Sequence, residues 1–146
     1  MAIFDNIDVG NSRAVIIIRA SSGAGKSTFA SFIQSLYPRA VICCADDHFY
    51  DKYGNYNFNA SQLGAAHLNC KKKFEFSLDN GAECVIVSNT NVKSSEWKYY
   101  HDLALERGYK VFFLVIENRH GGKDCHGLSQ ETLKRQKETI LKNISL

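Results

Sequence analysis

Proline is nearly absent from this sequence of 146 residues, and no long apolar run is present. The single proline and the scattered glycines mark no linker, so we expect one domain. No stretch approaches the roughly 20 apolar residues that a membrane-spanning helix needs. The first ten residues carry no basic side chain of the kind that opens a signal peptide. We therefore expect a cytoplasmic, intracellular protein with no membrane partner.

Paired cysteine motifs are also missing. The five cysteines are Cys43, Cys44, Cys70, Cys84 and Cys125. An odd number, with two adjacent in an apolar run, predicts core packing in a reducing compartment rather than a disulfide framework. The net charge of +3 is far below that of a dedicated nucleic-acid binder, so charge alone identifies no partner.

Four short apolar runs, rich in β-branched residues, predict strands that are covered on both faces. These strands span residues 15–19, 40–44, 84–87 and 111–116, and segments with helical spacing span residues 26–36, 61–79, 94–107 and 129–140. The alternation predicts an α/β fold, a parallel sheet with helices on both sides. Residues 46–60 and 117–128 fit neither period and follow strand ends, where ligands bind to such sheets.

The strongest local signal is the run Ala-Ser-Ser-Gly-Ala-Gly-Lys-Ser-Thr, from Ala20 to Thr28. It matches the phosphate-loop (P-loop) pattern, with Ala20 in place of the first glycine. Small residues allow backbone N–H groups to converge on phosphate oxygens at a helix N-terminus. Lys26 is expected to reach the β- and γ-phosphates of ATP, and the Ser27 hydroxyl to bind Mg²⁺. The predicted nucleotide-binding residues are Ser22, Gly23, Ala24, Gly25, Lys26, Ser27 and Thr28.

Asp46 and Asp47 follow the second strand, at the same edge of the predicted sheet. A carboxylate there can accept the proton of an attacking hydroxyl or hold Mg²⁺. The alternative is that one of the two caps a helix beginning near His48. We predict that Asp46 is the general base and a metal ligand.

Several motifs in combination resemble those of polynucleotide-kinase-like P-loop domains. They are the Asp-Asp-His-Phe-Tyr run at 46–50, Gly-x-Tyr-x-Phe-Asn at 54–59, Leu-x-x-Ala-His-x-x-Cys at 63–70 followed by Phe74, Gly81, and Val-Ile-Val-Ser-Asn-Thr-Asn at 85–91. The resemblance covers about residues 15–140. It is greatest to the kinase-like domains of the NEDD-four-binding protein group and weaker to the kinase half of the bacteriophage polynucleotide kinase.

This resemblance implies ATP- and Mg²⁺-dependent transfer of a phosphoryl group to a nucleic-acid 5′-hydroxyl. It also implies a three-layer P-loop kinase fold, with a small parallel sheet of about four strands and the P-loop strand central. One such domain is expected over residues 1–146, with its core at about 13–140. Asp46 falls on the family's general base. Arg119 falls in its lid, where an arginine clamps the phosphates; the alternative is a solvated loop arginine.

Two departures from the family are visible. Relatives carry an acid at the position of Ser88 or of Asn89, and this chain carries none. Phe49 stands where the bacteriophage enzyme has an arginine that grips the acceptor's phosphate. Two alternatives therefore stay open. One is a kinase for another hydroxyl, on a modified DNA base, a nucleoside or a small molecule; the other is a nucleotide-binding switch with little catalysis.

Three further groups of residues have two interpretations each. The aromatic residues Tyr50, Tyr53, Tyr56 and Phe58 either stack on an acceptor base or pack their own segment onto the sheet. The basic runs at 71–73 and 134–137 are first of all solvated helix faces, and phosphate contacts are the lesser alternative. His120, Cys125 and His126 lie close in sequence but lack the spacing of a zinc site.

Overall fold

The structure is a computed structural model that describes residues 12–118 and 127–144. Its strands are β1 (Ala14–Ala20), β2 (Val41–Cys43), β3 (Cys84–Val87) and β4 (Lys110–Ile116). Its α-helices are α1 (Lys26–Leu36), α2 (Leu63–Asp79), α3 (Ser94–Glu106) and α4 (Gln130–Lys142). Short 3-10 helices at Ala45–Phe49 and Ala60–Gln62 bound the aromatic-rich segment. No helix within these ranges is long and apolar enough to cross a membrane.

The four strands form one parallel sheet in the order β2-β3-β1-β4. β1 lies inside the sheet, with Ile16 opposite Ile86 of β3 and Phe112 of β4. The predicted α/β fold of about four strands, with the P-loop strand in a central position, is confirmed. All four strands end at the same edge, so the segments after β1, β2 and β3 meet there.

Alternate residues of β1 enter two apolar layers, because successive strand side chains point to opposite faces. Val15 and Ile17 belong to the larger layer, which includes Phe74 of α2 and Tyr100 of α3. The rings of Phe74 and Tyr100 meet edge to face, with their centroids 5.0 Å apart. Ile18 belongs to the smaller layer, with residues of α1. Helices on both faces of the sheet therefore make the three predicted layers.

β4 departs from the prediction that every strand is covered on both faces. The side chains of Phe112 and Phe113 are 54% and 42% exposed. β4 is an outermost strand of the sheet, and contacts from Trp97 and His101 of α3 cover the Phe113 ring only in part. Apolar composition alone does not distinguish an edge strand from a central one.

Arg19, near the end of β1, is a buried cation with only 4% of its surface exposed. Its Nε donates to the Asn91 carbonyl at 2.9 Å and its Nη2 to the Val92 carbonyl at 2.8 Å. Nη2 also donates to Oδ1 of Asn143, and the guanidinium lies 5.6 Å from the centroid of Trp97. One side chain thus joins β1, the segment after β3 and the end of α4.

Replacing this cation tests how much the fold depends on it. We expect Arg19→Met to lower the free energy of unfolding by about 3 kcal/mol, because buried carbonyls lose charged donors. Urea denaturation followed by circular dichroism measures the loss. Arg39→Met is the matched control, since Arg39 pairs with Glu83 across 3.7 Å of open surface. Its effect should stay within about 0.5 kcal/mol, and equal effects of the two variants would contradict this interpretation.

The thiols offer a second test of the core. Burial raises the pKa of Cys43 and of Cys44 to about 12. Because the thiolate is the reactive form, both should resist iodoacetamide at pH 8 in the folded protein and react once urea unfolds it. Peptide mapping by mass spectrometry reads the two sites separately. Alkylation of either one in the folded protein at the rate of a free thiol would show that it does not belong to the packed interior.

Candidate active site

The segment between β1 and α1 has the backbone conformation of a tight loop that ends in a helix N-terminus. Gly23 and Gly25 adopt φ values of 77° and 98°, which side chains with a Cβ rarely tolerate. Ala20 is fully buried at the end of β1, so the substituted first position of the pattern is part of the core. Nζ of Lys26 folds back over the loop and donates to the Ser21 carbonyl at 3.3 Å. The loop therefore brings the N-terminus of α1 and the Lys26 ammonium group together, as an anion site requires.

α4 is attached to this loop. The backbone N–H of Ser22 donates to Oε1 of Gln136 at 3.0 Å. Together with the Arg19–Asn143 contact, this bond places α4 beside the loop, with its N-cap Ser129 accepting from the Thr132 N–H. Sequence reasoning missed Gln136, because a glutamine on a polar helix face gives no signal of its partner.

The two aspartates that follow β2 lie in the first turn of the 3-10 helix Ala45–Phe49. The N-cap of this helix is Cys44, so the alternative that an aspartate caps it is wrong. Oδ1 of Asp46 accepts a hydrogen bond from the Tyr56 hydroxyl at 3.4 Å. Asp47 lies 3.9 Å from Nζ of Lys73, and burial raises the pKa of Asp47 while Lys73 opposes that rise.

Asn89 and Ser88, the two positions where relatives carry an acid, make different contacts in this structure. The amide of Asn89 accepts from the Ala45 N–H at 2.9 Å and donates to Sγ of Cys70 at 3.5 Å. It therefore holds the start of the 3-10 helix against α2. Ser88 is 3% exposed, and its hydroxyl has no hydrogen-bond partner within the described ranges. A buried polar atom without a partner costs free energy unless a ligand or water satisfies it.

A cleft of about 510 Å³ connects these groups. Its lining residues are Ser27, Ala30, Ser31, Gln34, Ala40, Val41, Ile42, Cys44, Asp47, Lys73 and Ser88. The cleft thus brings the Ser27 hydroxyl at the N-terminus of α1 together with the Ser88 hydroxyl, a carboxylate and an ammonium group. Asp47 contributes that carboxylate, whereas the predicted Asp46 is not among the lining residues and contacts the Tyr56 hydroxyl.

The arrangement fits Mg²⁺, which takes oxygen ligands and keeps several waters when phosphates share its coordination. Ser27, Ser88 and the two aspartates supply oxygen atoms at one edge of the sheet. The described ranges hold no group of three or more His, Cys, Asp or Glu side chains that could bind a metal ion. Phosphate and water oxygens would therefore complete the coordination sphere.

The aromatic segment mostly packs on itself. Phe49 is 3% exposed, and its ring lies 5.0 Å from that of Phe58, centroid to centroid. Tyr50 and Tyr56 contact each other in the same way at 5.1 Å. Tyr53 is 77% exposed, with Nζ of Lys52 4.9 Å from its ring centroid. Tyr50, Tyr56 and Phe58 thus pack against other rings of the segment, although Tyr50 and Phe58 also stay more than half exposed, and Tyr53 is the most exposed of the four.

Some predicted residues lie outside the described ranges. They are Arg119, the proposed phosphate clamp, and His120, Cys125 and His126, the weak zinc candidates. The basic side chains of α4 lie on an exposed face, where Lys134 is 4.0 Å from Glu138. Lys73 is the member of the run at 71–73 that reaches the cleft.

Comparison with known proteins supports the resemblance that the sequence motifs predicted. No protein-family model matches the chain. Its sequence is 29% identical, over 139 residues, to human NEDD4-binding protein 2; the match covers 90% of this chain and 8% of that protein's length. The predicted resemblance to that group is therefore confirmed, although the chain spans only a small part of the relative.

Solved structures show the same fold at low sequence identity. A chain of the Pnkp1/Rnl/Hen1 RNA repair complex superimposes with a TM-score of 0.62 at 15% identity, over 90% of this chain and 45% of the other. The APS kinase CysC of Mycobacterium tuberculosis gives 0.53 at 11% identity, over 90% and 96%. A fungal RNA kinase gives 0.50 at 13% identity, over 92% and 30%. The chain has the P-loop kinase fold, and its sequence resembles one segment of NEDD4-binding protein 2.

Proposed function

We propose that this protein is a kinase that transfers the γ-phosphate of ATP to a hydroxyl group, with a nucleic-acid 5′-hydroxyl as its acceptor. The observation that carries the proposal is the shared cleft. The loop that opens α1, the segment after β2 and the end of β3 line one space. Ser27 at the N-terminus of α1 and the Asp47 carboxylate thus line the same cleft, with Asp46 next to Asp47 on the 3-10 helix. Phosphoryl transfer depends mainly on such positioning and charge.

Each group has a distinct task in this proposal. The loop and first helical turn at residues 22–28, together with the ammonium group of Lys26, bind the phosphates of ATP. Ser27 and Asp46, joined by the Ser88 hydroxyl and with Asp47 beside them in the cleft, would hold Mg²⁺, which would neutralise phosphate charge. The Asp46 carboxylate accepts the proton of the acceptor hydroxyl as its oxygen attacks phosphorus. Arg119 stabilises the charge of the transferring group.

The nucleic-acid acceptor is supported by the names of the similar proteins, which include an RNA repair complex and an RNA kinase. Phe49, where the bacteriophage enzyme has an arginine, is buried and cannot present a charge. Lys73 is the cation that the structure brings to the cleft, with its side chain 50% exposed. We propose that Lys73 binds a phosphate of the acceptor strand.

Label transfer from γ-labelled ATP tests the activity. The acceptors are 5′-hydroxyl DNA, 5′-hydroxyl RNA, hydroxymethylated DNA and free nucleosides. Lys26→Met and Asp46→Asn should each lower kcat by about 100-fold or more, because they remove phosphate binding and the general base. Asp102→Asn on the exposed face of α3 is the matched control and should leave kcat unchanged.

The outcomes separate the competing functions. If label is transferred only to hydroxymethylated DNA or to a nucleoside, that molecule, and not a nucleic-acid 5′ end, is the acceptor. ATP binding without transfer to any acceptor would favour a nucleotide-binding switch. Transfer that survives in full in Asp46→Asn would refute the general-base assignment.

The role of Lys73 needs a separate measurement. Lys73→Met should raise KM for a 5′-hydroxyl oligonucleotide by about tenfold and leave KM for ATP unchanged, because one charged hydrogen bond to the acceptor is lost. Lys72→Met is the matched control, since the neighbouring lysine lies outside the cleft lining. Equal KM values for the oligonucleotide in the two variants would show that Lys73 does not bind the acceptor.

A further inference from the structure

We propose that the protein forms a symmetric dimer in which the β4 strands of two copies pair in antiparallel orientation, so that two sheets join into one. The feature that carries this inference is the open side of β4. β4 pairs with β1 on one side, and no strand of the described ranges pairs with the other. None of the residues that line the cleft belongs to β4, so the interface is separate from the proposed active site.

β4 lacks the features that usually prevent an edge strand from pairing with another chain. Such strands are commonly short, or they carry charged residues, proline or a bulge. After Lys110, β4 is an unbroken apolar run, Val-Phe-Phe-Leu-Val-Ile, and it stays in register with β1 as far as Ile116. Phe112 and Phe113 point to opposite faces of the sheet, and their side chains are 54% and 42% exposed. The edge and both faces of β4 are therefore suited to contact a further strand.

The backbone groups on this edge determine how a second copy pairs. The N–H of Lys110 donates to the Arg13 carbonyl, on the β1 side, at 2.9 Å. Because successive residues direct their N–H and C=O groups to alternate sides of a strand, Val111, Phe113 and Val115 direct theirs away from β1. An antiparallel copy engages all three when Val111 lies opposite its Val115 and Phe113 opposite its Phe113. Each such pair exchanges two hydrogen bonds, which gives about six in total.

The same register covers the exposed rings. A two-fold axis perpendicular to the sheet passes between the two copies of Phe113, so each strand keeps its own faces. Within one chain the Phe113 ring lies 4.8 Å from Trp97 and 5.8 Å from His101, centroid to centroid, and the second copy extends this aromatic cluster across the axis. On the other face, Phe112 lies opposite Leu114 of the second copy. Pairing therefore removes apolar surface from water on both faces.

Opposite charges at the two ends of β4 favour the antiparallel direction. β4 begins at Lys110, and Glu117 follows its last residue, Ile116. Nζ of Lys110 contacts the neutral hydroxyl of Ser12 at 3.4 Å, which leaves its charge to interact with a carboxylate. Antiparallel pairing brings the Lys110 of each copy opposite Ile116 of the other, next to Glu117. Parallel pairing would bring like charges together at both ends, so a second copy in antiparallel orientation is the complementary occupant.

Sedimentation velocity of the full chain over a concentration series tests the interface. The wild type should dimerise, and Phe112→Lys should raise the Kd of the dimer by about 100-fold, because it buries a charge opposite Leu114. Phe32→Lys is the matched control, since Phe32 is 56% exposed on α1, and it should sediment as the wild type does. A wild type that is monomeric at every concentration would overturn the proposal. So would a dimer that Phe32→Lys dissociates and Phe112→Lys does not.

Carbodiimide cross-linking, which joins an amine directly to a carboxylate, tests the orientation. Lys110 and Glu117 lie at opposite ends of the strand, about 23 Å apart, so a cross-link between them joins two chains. In a mixture of isotope-labelled and unlabelled chains it should appear as a mixed product in mass spectrometry. The pair of Lys98 and Asp102 on α3 is the control for a cross-link within one chain. A dimer that gives the control product and no Lys110–Glu117 product would refute the antiparallel β4 interface.

Exchange of the two charges tests the same contact without altering the core. Lys110→Glu alone should raise the Kd of the dimer by about fivefold, because two favourable contacts become repulsive. Adding Glu117→Lys to the same chain should restore the wild-type Kd. Circular dichroism of each variant checks that the fold is kept. A double variant that dimerises no better than Lys110→Glu would show that these two residues do not meet across the interface and would overturn the proposed pairing.

Discussion

The parallel pairing of β1 on both of its edges is the constraint on which the rest of the structure depends. All seven residues of β1 are in register with β4, and four are in register with β3. Such pairing fixes where β1 ends relative to its neighbours. The loop before α1, the end of β3 and, through β3, the end of β2 are therefore held at one edge. A shift of this register by one residue would turn the side chains of β1 to the opposite face and exchange its two core layers.

Two hydrogen bonds connect α4 to that edge of the sheet. Arg19 and Ser22 lie on either side of the point where β1 becomes the loop, and each contacts α4, through Asn143 and Gln136 respectively. α4 is therefore held beside the loop that precedes α1 by two contacts, one of which involves a buried charge.

The missing acid at the end of β3 has a physical explanation in the structure. Asn89 both accepts a hydrogen bond and donates one, whereas a carboxylate at this position could only accept. The amide is thus suited to join Ala45 to Cys70. Ser88, by contrast, has a buried hydroxyl without a hydrogen-bond partner in the described part of the chain, and it lines the cleft. Of these two positions, Asn89 is thus part of the hydrogen-bonded framework, and Ser88 borders the open space.

The sequence by itself determined the elements and the loop between β1 and α1, because these depend on local patterns. Apolar runs predicted the strands, and Gly23, Gly25 and Lys26 predicted the loop. Tertiary structure alone decided which side chains meet. Gln136 reaches a loop 114 positions away, Tyr56 reaches Asp46 through a turn, and Asp47 rather than Asp46 enters the cleft. The local sequence around a polar residue does not reveal its hydrogen-bond partner, because the packing of elements that are distant in the chain decides which groups meet.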